Sequence, residues 1–227
     1  VTITDGVNSM NKTSAMILEY FNRLKPLLLA AIAGFLWYSA FPPNDYGVIS
    51  IILSFCCLLK AISGASLKNA ALRGFVFGMV GFGCGCFWVV EVFRGWHGLL
   101  LVPVMSLWTV IFALGCSKLI RQESCIRFFH VALWWASLEF VRGEAGPIPN
   151  PVLTFGAALP TGLLLNPARY IGIYGMSFLT ALFSALIYRM YWYQRTDKSI
   201  GKAFIAPFIL GALWLGSGAL ITFPAES

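Results

Sequence analysis

Seven apolar runs, separated by short loops that hold most of the charge, limit this chain to one broad class of fold. They extend from about residues 27 to 41, 46 to 62, 71 to 93, 98 to 119, 125 to 141, 168 to 193 and 202 to 223. A helix needs roughly 20 apolar residues, at about 1.5 Å of rise each, to cross the hydrocarbon of a bilayer. No water is available there, so the backbone must satisfy its own hydrogen bonds, and runs of this length do so as helices. The pattern predicts an all-α integral membrane protein, a polytopic bundle of seven transmembrane helices with an irregular outer-face segment between spans five and six. The composition agrees, since 59% of residues are hydrophobic and 11% charged, against about 25% charged in soluble domains. The divisions read as a cytoplasmic segment over 1–26, a membrane domain over 27–223 and the start of an external segment at 224–227.

The net charge of +7 would raise the question of nucleic acid in a soluble protein. Here the basic residues sit in loops, and no nucleic-acid partner is expected. With seven spans, one side collects Lys12, Arg23, Lys25, Lys60, Lys68, Arg73, Lys118, Arg121, Arg127, Arg189, Arg195, Lys198 and Lys202. The other side receives Arg94, Arg142 and Arg169. By the positive-inside rule the N-terminus is cytoplasmic and the C-terminus external. The first run ends in Phe41, Pro42 and Pro43 without a small-residue cleavage site, so it reads as a retained span.

Several features mark individual spans. Trp37, Tyr38, Phe41 and the two prolines resemble an aromatic belt at a bilayer surface, as do Tyr188, Tyr191, Trp192 and Tyr193. The third run carries Gly74-x-x-x-Gly78 and Gly81-x-x-x-Gly85, a spacing that lets another helix approach closely. Residues 143–167 hold so many glycines and prolines that no continuous helix survives, yet Val152, Leu153, Phe155 and Leu163 to Leu165 are too apolar for a solvated loop. Such a segment is tolerated at membrane depth when protein covers it or when it lines a cavity, and it reads as the shaper of an opening for a lipid.

The chemistry available is sparse. Six cysteines lie in or beside apolar runs rather than in loop pairs, which argues against a disulfide framework, and with two histidines there is no metal-ligand spacing. No phosphate loop or dinucleotide fingerprint appears, and no cofactor is expected. What remains is a carboxylate and a guanidinium three residues apart at two places, Glu139 with Arg142 and Glu91 with Arg94. Three residues apart on a helix puts both on one face, where they can pair. Charges in an apolar run are costly and generally have a use. The topology gathers Glu91, Arg94, His97, Glu139, Arg142 and Glu144 at the outer face, with Trp88 near the outer end of the third span.

The order of these features resembles the membrane half of bacterial apolipoprotein N-acyltransferase. The resemblance rests on Ala40-Phe41-Pro42-Pro43, on Arg73-Gly74-Phe75 with Gly78, Gly81, Gly83, Gly85 and Trp88, and on Trp134 or Trp135 followed by Glu139-Phe140-Val141-Arg142-Gly143. It closes with Gly172 and Tyr174-Gly175-Met176-Ser177-Phe178-Leu179. It implies binding of phospholipid in the bacterial inner membrane, for acyl transfer to the N-terminal cysteine of a diacylated lipoprotein. In that family the reaction belongs to a nitrilase-like domain beyond the seventh span, which this sequence lacks, so no catalytic residue is assigned to this chain. The residues it marks for lipid or substrate binding are Glu139, Arg142, Glu91, Arg94, Trp88 and Tyr174. The arginines would contact phosphate or hold the outer loops, with the carboxylates orienting them. Two other readings stay open: a stand-alone lipid-binding or assembly protein, and an unrelated small membrane enzyme acting through Glu139, His97 or Arg142. The stretch Pro147-Ile148-Pro149-Asn150-Pro151 departs from the Gly-Phe-Pro-Trp usual in the family.

Overall fold

A computed structural model describes residues 22, 24–42, 46–92, 94–120, 125–145, 149–195 and 200–221. Most of the proposed N-terminal segment, the external segment at 224–227, residues 43–45, and the side chains of Glu91 and His97 lie outside the described residues. The regular elements of the described part are all helices. Its long helices are α1 (Leu24–Ser39), α2 (Gly47–Ile62), α3 (Leu67–Gly85), α5 (Leu101–Leu119), α6 (Cys125–Phe140), α7 (Ala168–Arg195) and α8 (Ile200–Leu220). A short α4 (Val89–Val92) and a 3-10 turn (Trp96–Leu100) link α3 to α5. A π turn (Val141–Ala145) ends α6, and a 3-10 turn (Phe155–Ala158) interrupts the irregular stretch before α7.

The helices turn their apolar stripes outward. On α1 these are Leu28, Ile32 and Phe35, on α5 Val104, Leu107 and Ile111, and on α6 Ile126, Phe129 and Leu133, all exposed. Spacings of three and four residues put each set on one helix face. In a water-soluble bundle that face would be polar, so the arrangement suits a hydrocarbon surround. Two helical stretches, Gly98–Leu119 and Ala168–Tyr191, are long and apolar enough to cross a membrane, and three shorter apolar helices accompany them.

Polar groups are instead inside, where they join helices. Ser54 Oγ donates to the Ala33 carbonyl at 2.8 Å, tying α2 to α1. Thr109 Oγ1 donates to the Gly74 carbonyl at 2.8 Å, tying α5 to α3. The first glycine pair makes that second contact possible, because a Cβ on Gly74 would collide with Ala113 and one on Gly78 with Thr109 and the Ser106 backbone. Gly81 and Gly85 serve differently, leaving room for the Trp37 ring and the Leu153 side chain. Gly78→Val is expected to lower the unfolding free energy of the solubilised protein by about 1–3 kcal/mol, because Ser106 Cα cannot yield without parting the helices. Gly216→Val, with nothing within 4 Å of the added Cβ, serves as control. Equal thermal melts for the two variants would remove the packing role.

Two sequence expectations are corrected. The third apolar run is not one helix to residue 93: α3 stops at Gly85, and Cys86 caps it in a non-helical conformation. Hydropathy continues across that point, so composition could not locate the break. Trp37 is not a surface aromatic. It is 1% exposed and stacks on Phe77, with edges of Phe82, Trp135 and Phe155 against it.

Candidate functional site

The aromatic cluster around Trp37 is the floor on which the irregular segment rests. Phe155 is fully buried, with its ring centroid 4.5 Å from that of Trp135 and 5.4 Å from that of Phe55. Phe55 stands midway along α2, so the segment dips well into the bundle. Backbone carried to such a place must have its polar groups met. Four side chains meet them. Trp37 Nε1 donates to the Leu153 carbonyl at 3.0 Å, and Arg142 Nη1 to the Val152 carbonyl at 2.7 Å. Glu139 Oε1 accepts from the Phe155 amide at 3.0 Å, and Ser177 Oγ from the Gly156 amide at 2.8 Å. Leu153 sits at φ 59, a conformation that side-chain-bearing residues seldom adopt, held here by the bonds on either side of it.

The spacing of the Glu139 motif now has a physical reason. One helical turn before Glu139, Trp135 points its Nε1 at the same Oε1 from 2.9 Å, so the carboxylate oxygen bridges a helix side chain and a loop amide. Between the two tryptophans that the sequence left open, it is Trp135 that does this. Trp134 packs over Gly115. Glu139 and Arg142 are each 3% exposed. They do not hydrogen-bond to each other. Each uses one terminal atom on the segment and leaves the other, Glu139 Oε2 or Arg142 Nη2, buried without a partner. Both residues line a cavity of about 20 Å³ with Trp108 and Phe112, which has room for about one water. The Arg142 guanidinium also lies 5.2 Å from the centre of the Phe82 ring, within cation–π range.

The end of this site beyond the π turn is completed by α7. Gly172, at φ 67 and ψ 179, breaks the helix there in a conformation open mainly to glycine. The chain resumes so that Tyr174 Oη donates to Glu144 Oε1 at 2.9 Å. Gly143 makes this possible, because a Cβ there would strike the Tyr174 hydroxyl. Met176 and Ser177, two and three residues on, are fully buried.

The predicted residues therefore separate. Glu139, Arg142 and Tyr174 come together around the π turn and the segment. Arg94 is exposed and has φ 49, outside any helix, so the helical facing expected of Glu91 and Arg94 does not hold. Trp88 is 51% exposed and stands apart. Sequence reasoning missed Trp37 and Ser177 as anchors, along with two residues that pin the far half of the segment. Trp214 Nε1 donates to the Leu164 carbonyl at 2.9 Å, and Asn166 Nδ2 to the Gly218 and Ile221 carbonyls at 2.9 and 3.0 Å. A polar Asn within an apolar proline-bearing stretch was the available signal.

Beside these contacts lies a second, apolar cavity of about 100 Å³. Leu159 and Leu164 of the segment wall it on one side, with Val48 and Ile52 of α2, Phe183 of α7 and Trp214 of α8 on the others. Close approach by the segment needs glycine on both flanking helices, since a Cβ at Gly47 would meet the Ala158 carbonyl and one at Gly218 the Leu163 carbonyl.

Comparison with known proteins bears on the same elements. Residues 33–186 match the family model described as apolipoprotein N-acyltransferase N-terminal domain. The chain is similar to apolipoprotein N-acyltransferase of Methylococcus capsulatus, 27% identical over 83% of this chain and 39% of the relative. It is similar too to that of Coxiella burnetii, 28% identical over 81% of this chain and 40% of the relative. The Photobacterium profundum protein of the same name is 26% identical over 87% of this chain and 39% of its own length. The chain thus spans about two fifths of the length of the curated relatives it matches. The matched region runs from mid-α1 to mid-α7 and takes in the Glu139 motif, the segment it holds and the Gly172 break, and by that match this chain belongs to the apolipoprotein N-acyltransferase N-terminal domain family.

Proposed function

We propose that this chain is the membrane part of an apolipoprotein N-acyltransferase and that it holds a phospholipid acyl chain for transfer to the N-terminal cysteine of a diacylated lipoprotein. The reaction itself is then the work of a nitrilase-like domain on the remaining length that the relatives possess. The observation that carries this reading is the apolar cavity between the pinned segment and helices α2, α7 and α8, which is lined almost wholly by hydrocarbon. Alkyl chains enter such apolar, preformed cavities without loss of a hydrogen bond. In this reading Glu139 and Arg142 act from within by fixing the segment that walls the cavity. Arg94, Arg169 and Trp88, exposed at the same end, are the groups available to a phosphate and glycerol at the surface. The bundle sits in the bacterial inner membrane with α1 entering from the cytoplasm and this end external, in keeping with the sorting of basic residues.

A chimera tests the proposal. The membrane part of a relative is replaced by this chain in cells depleted of their own enzyme, and lipoprotein N-terminal peptides are weighed by mass spectrometry. Triacylated peptides are the expected product. Gly211→Phe, whose side chain projects from a Cβ position 3.3 Å from the Phe183 ring and so fills the cavity, is expected to reduce them by at least about tenfold, the loss that ~1.4 kcal/mol represents. A well-inserted chimera without product would overturn the proposal, and full product from Gly211→Phe would overturn the role of the cavity.

A further inference from the structure

A third hollow lies at the other end of the same helices, and the site described above makes no use of it. It measures about 250 Å³ and runs between Leu29 on α1, Leu53 on α2 and Ile187 on α7, with Lys60, Tyr188 and Tyr191 toward the helix ends. Leu53 is 48% exposed and Tyr191 40%, so the hollow opens sideways on the face that hydrocarbon would cover. The Lys60 ammonium stands 5.5 Å from the centre of the Tyr191 ring, which keeps the cation at the rim.

The surroundings are basic. Arg73 Nη1 bonds the Ala61 carbonyl at 2.7 Å, which brings the start of α3 to the end of α2. Phe128 packs on Tyr188, with ring centroids 6.4 Å apart, which brings Arg127 at the start of α6 to the same level. Arg189 follows Tyr188 directly. Lys60, Arg73, Arg127 and Arg189 therefore share one end of the bundle, opposite Glu139 and Arg142. The Tyr188 side chain is 2% exposed, so its ring closes the inner side of the groove. A groove with hydrocarbon walls and a lysine at its rim matches a lipid tail and an anionic headgroup in that order. A free phosphate would have no use for the apolar length.

We propose that this groove is a second lipid site, holding one acyl chain of an anionic phospholipid from the leaflet at the basic end, with the lipid phosphate against Lys60. It is separate from the acyl-donor cavity, which lies toward the opposite ends of α2 and α7, and it does not depend on that reading. One anionic lipid wedged between α1, α2 and α7 would also fix the bundle's depth in the membrane.

The full chain is reconstituted in phosphatidylcholine nanodiscs containing either phosphatidylglycerol or phosphatidylcholine that bears a diazirine on one acyl chain. Adducts formed on irradiation are mapped by peptide mass spectrometry. Phosphatidylglycerol adducts are expected to concentrate on residues 53–60 and 187–191. Lys60→Gln should lower them about fivefold, the worth of one lysine at a membrane surface, and Lys60→Arg should retain them. Lys118→Gln, an exposed basic residue outside the groove, should leave them unchanged. Leu53→Trp, which obstructs the opening, should lower adducts from both probes without altering insertion. The proposal is overturned if adducts spread evenly to Leu107 and Ile111 on the exposed face of α5. Equal yields from the two probes, or yields indifferent to both Lys60→Gln and Leu53→Trp, would overturn it too, as the mark of shell lipid alone.

Discussion

Glu139→Ala is expected to destabilise the protein by about 3–5 kcal/mol, the usual cost of removing one member of a buried charged set. Three groups lose their acceptor or countercharge together. The Phe155 amide and Trp135 Nε1 are left without Oε1, and the Arg142 guanidinium, 3% exposed, keeps its charge with no carboxylate nearby. The loss should begin in the segment rather than in the helices, because the segment's backbone has no internal ladder to fall back on. Limited proteolysis in detergent should therefore cut within residues 149–167 well before the bundle melts. Glu139→Gln keeps an acceptor for Phe155 and Trp135 but cancels the charge, so it should recover part of the stability. Proteolysis of Glu139→Ala at the parental rate would show that the carboxylate does not hold the segment.

Trp37→Ala is the second large effect, at about 3–5 kcal/mol for truncating a buried aromatic. Its ring is common to the contacts of Phe77, Phe82, Trp135 and Phe155, with centroid separations from 4.9 to 6.3 Å. Its Nε1 is the partner of the Leu153 carbonyl, which sits at the strained residue of the segment. Trp37→Phe restores most of the ring contacts and not the hydrogen bond. The difference between the parental protein and Trp37→Phe in thermal melts reports chiefly on the bond, expected at about 1–3 kcal/mol when a buried carbonyl is left unmet. If Trp37→Phe and Trp37→Ala melt together, the ring packing contributes little and the cluster is not the floor of the site.

Much of this was legible from residues alone. The seven apolar runs correspond to the seven long helices among the described residues, because burying a stretch of backbone in hydrocarbon leaves it little choice but helix. The small-residue spacing of Gly74 and Gly78 indicated a close helix contact, and α5 supplies it. The Pro and Gly content of 143–167 excluded a continuous helix, and the apolar residues between them excluded a solvated loop. What local pattern did not disclose is equally definite. Trp37 resembled a surface aromatic because its neighbours Tyr38, Phe41, Pro42 and Pro43 suit an interface, whereas burial depends on which other helices converge there. Arg94 stood at helical spacing from Glu91, and the chain had already left the helix.

Local pattern was enough for an all-helical chain with long apolar helices, since that follows from the length of apolar runs that must satisfy their own backbone hydrogen bonds. The tertiary structure alone decided what the polar residues do. Glu139 and Arg142 were legible as a pair on one helix, yet each spends its hydrogen bonds on Phe155 and Val152 rather than on the other. That choice belongs to a segment more than nine residues away in sequence. Its buried amides and carbonyls have no strand or helix to satisfy them, so they take the nearest charged groups that the packed helices present.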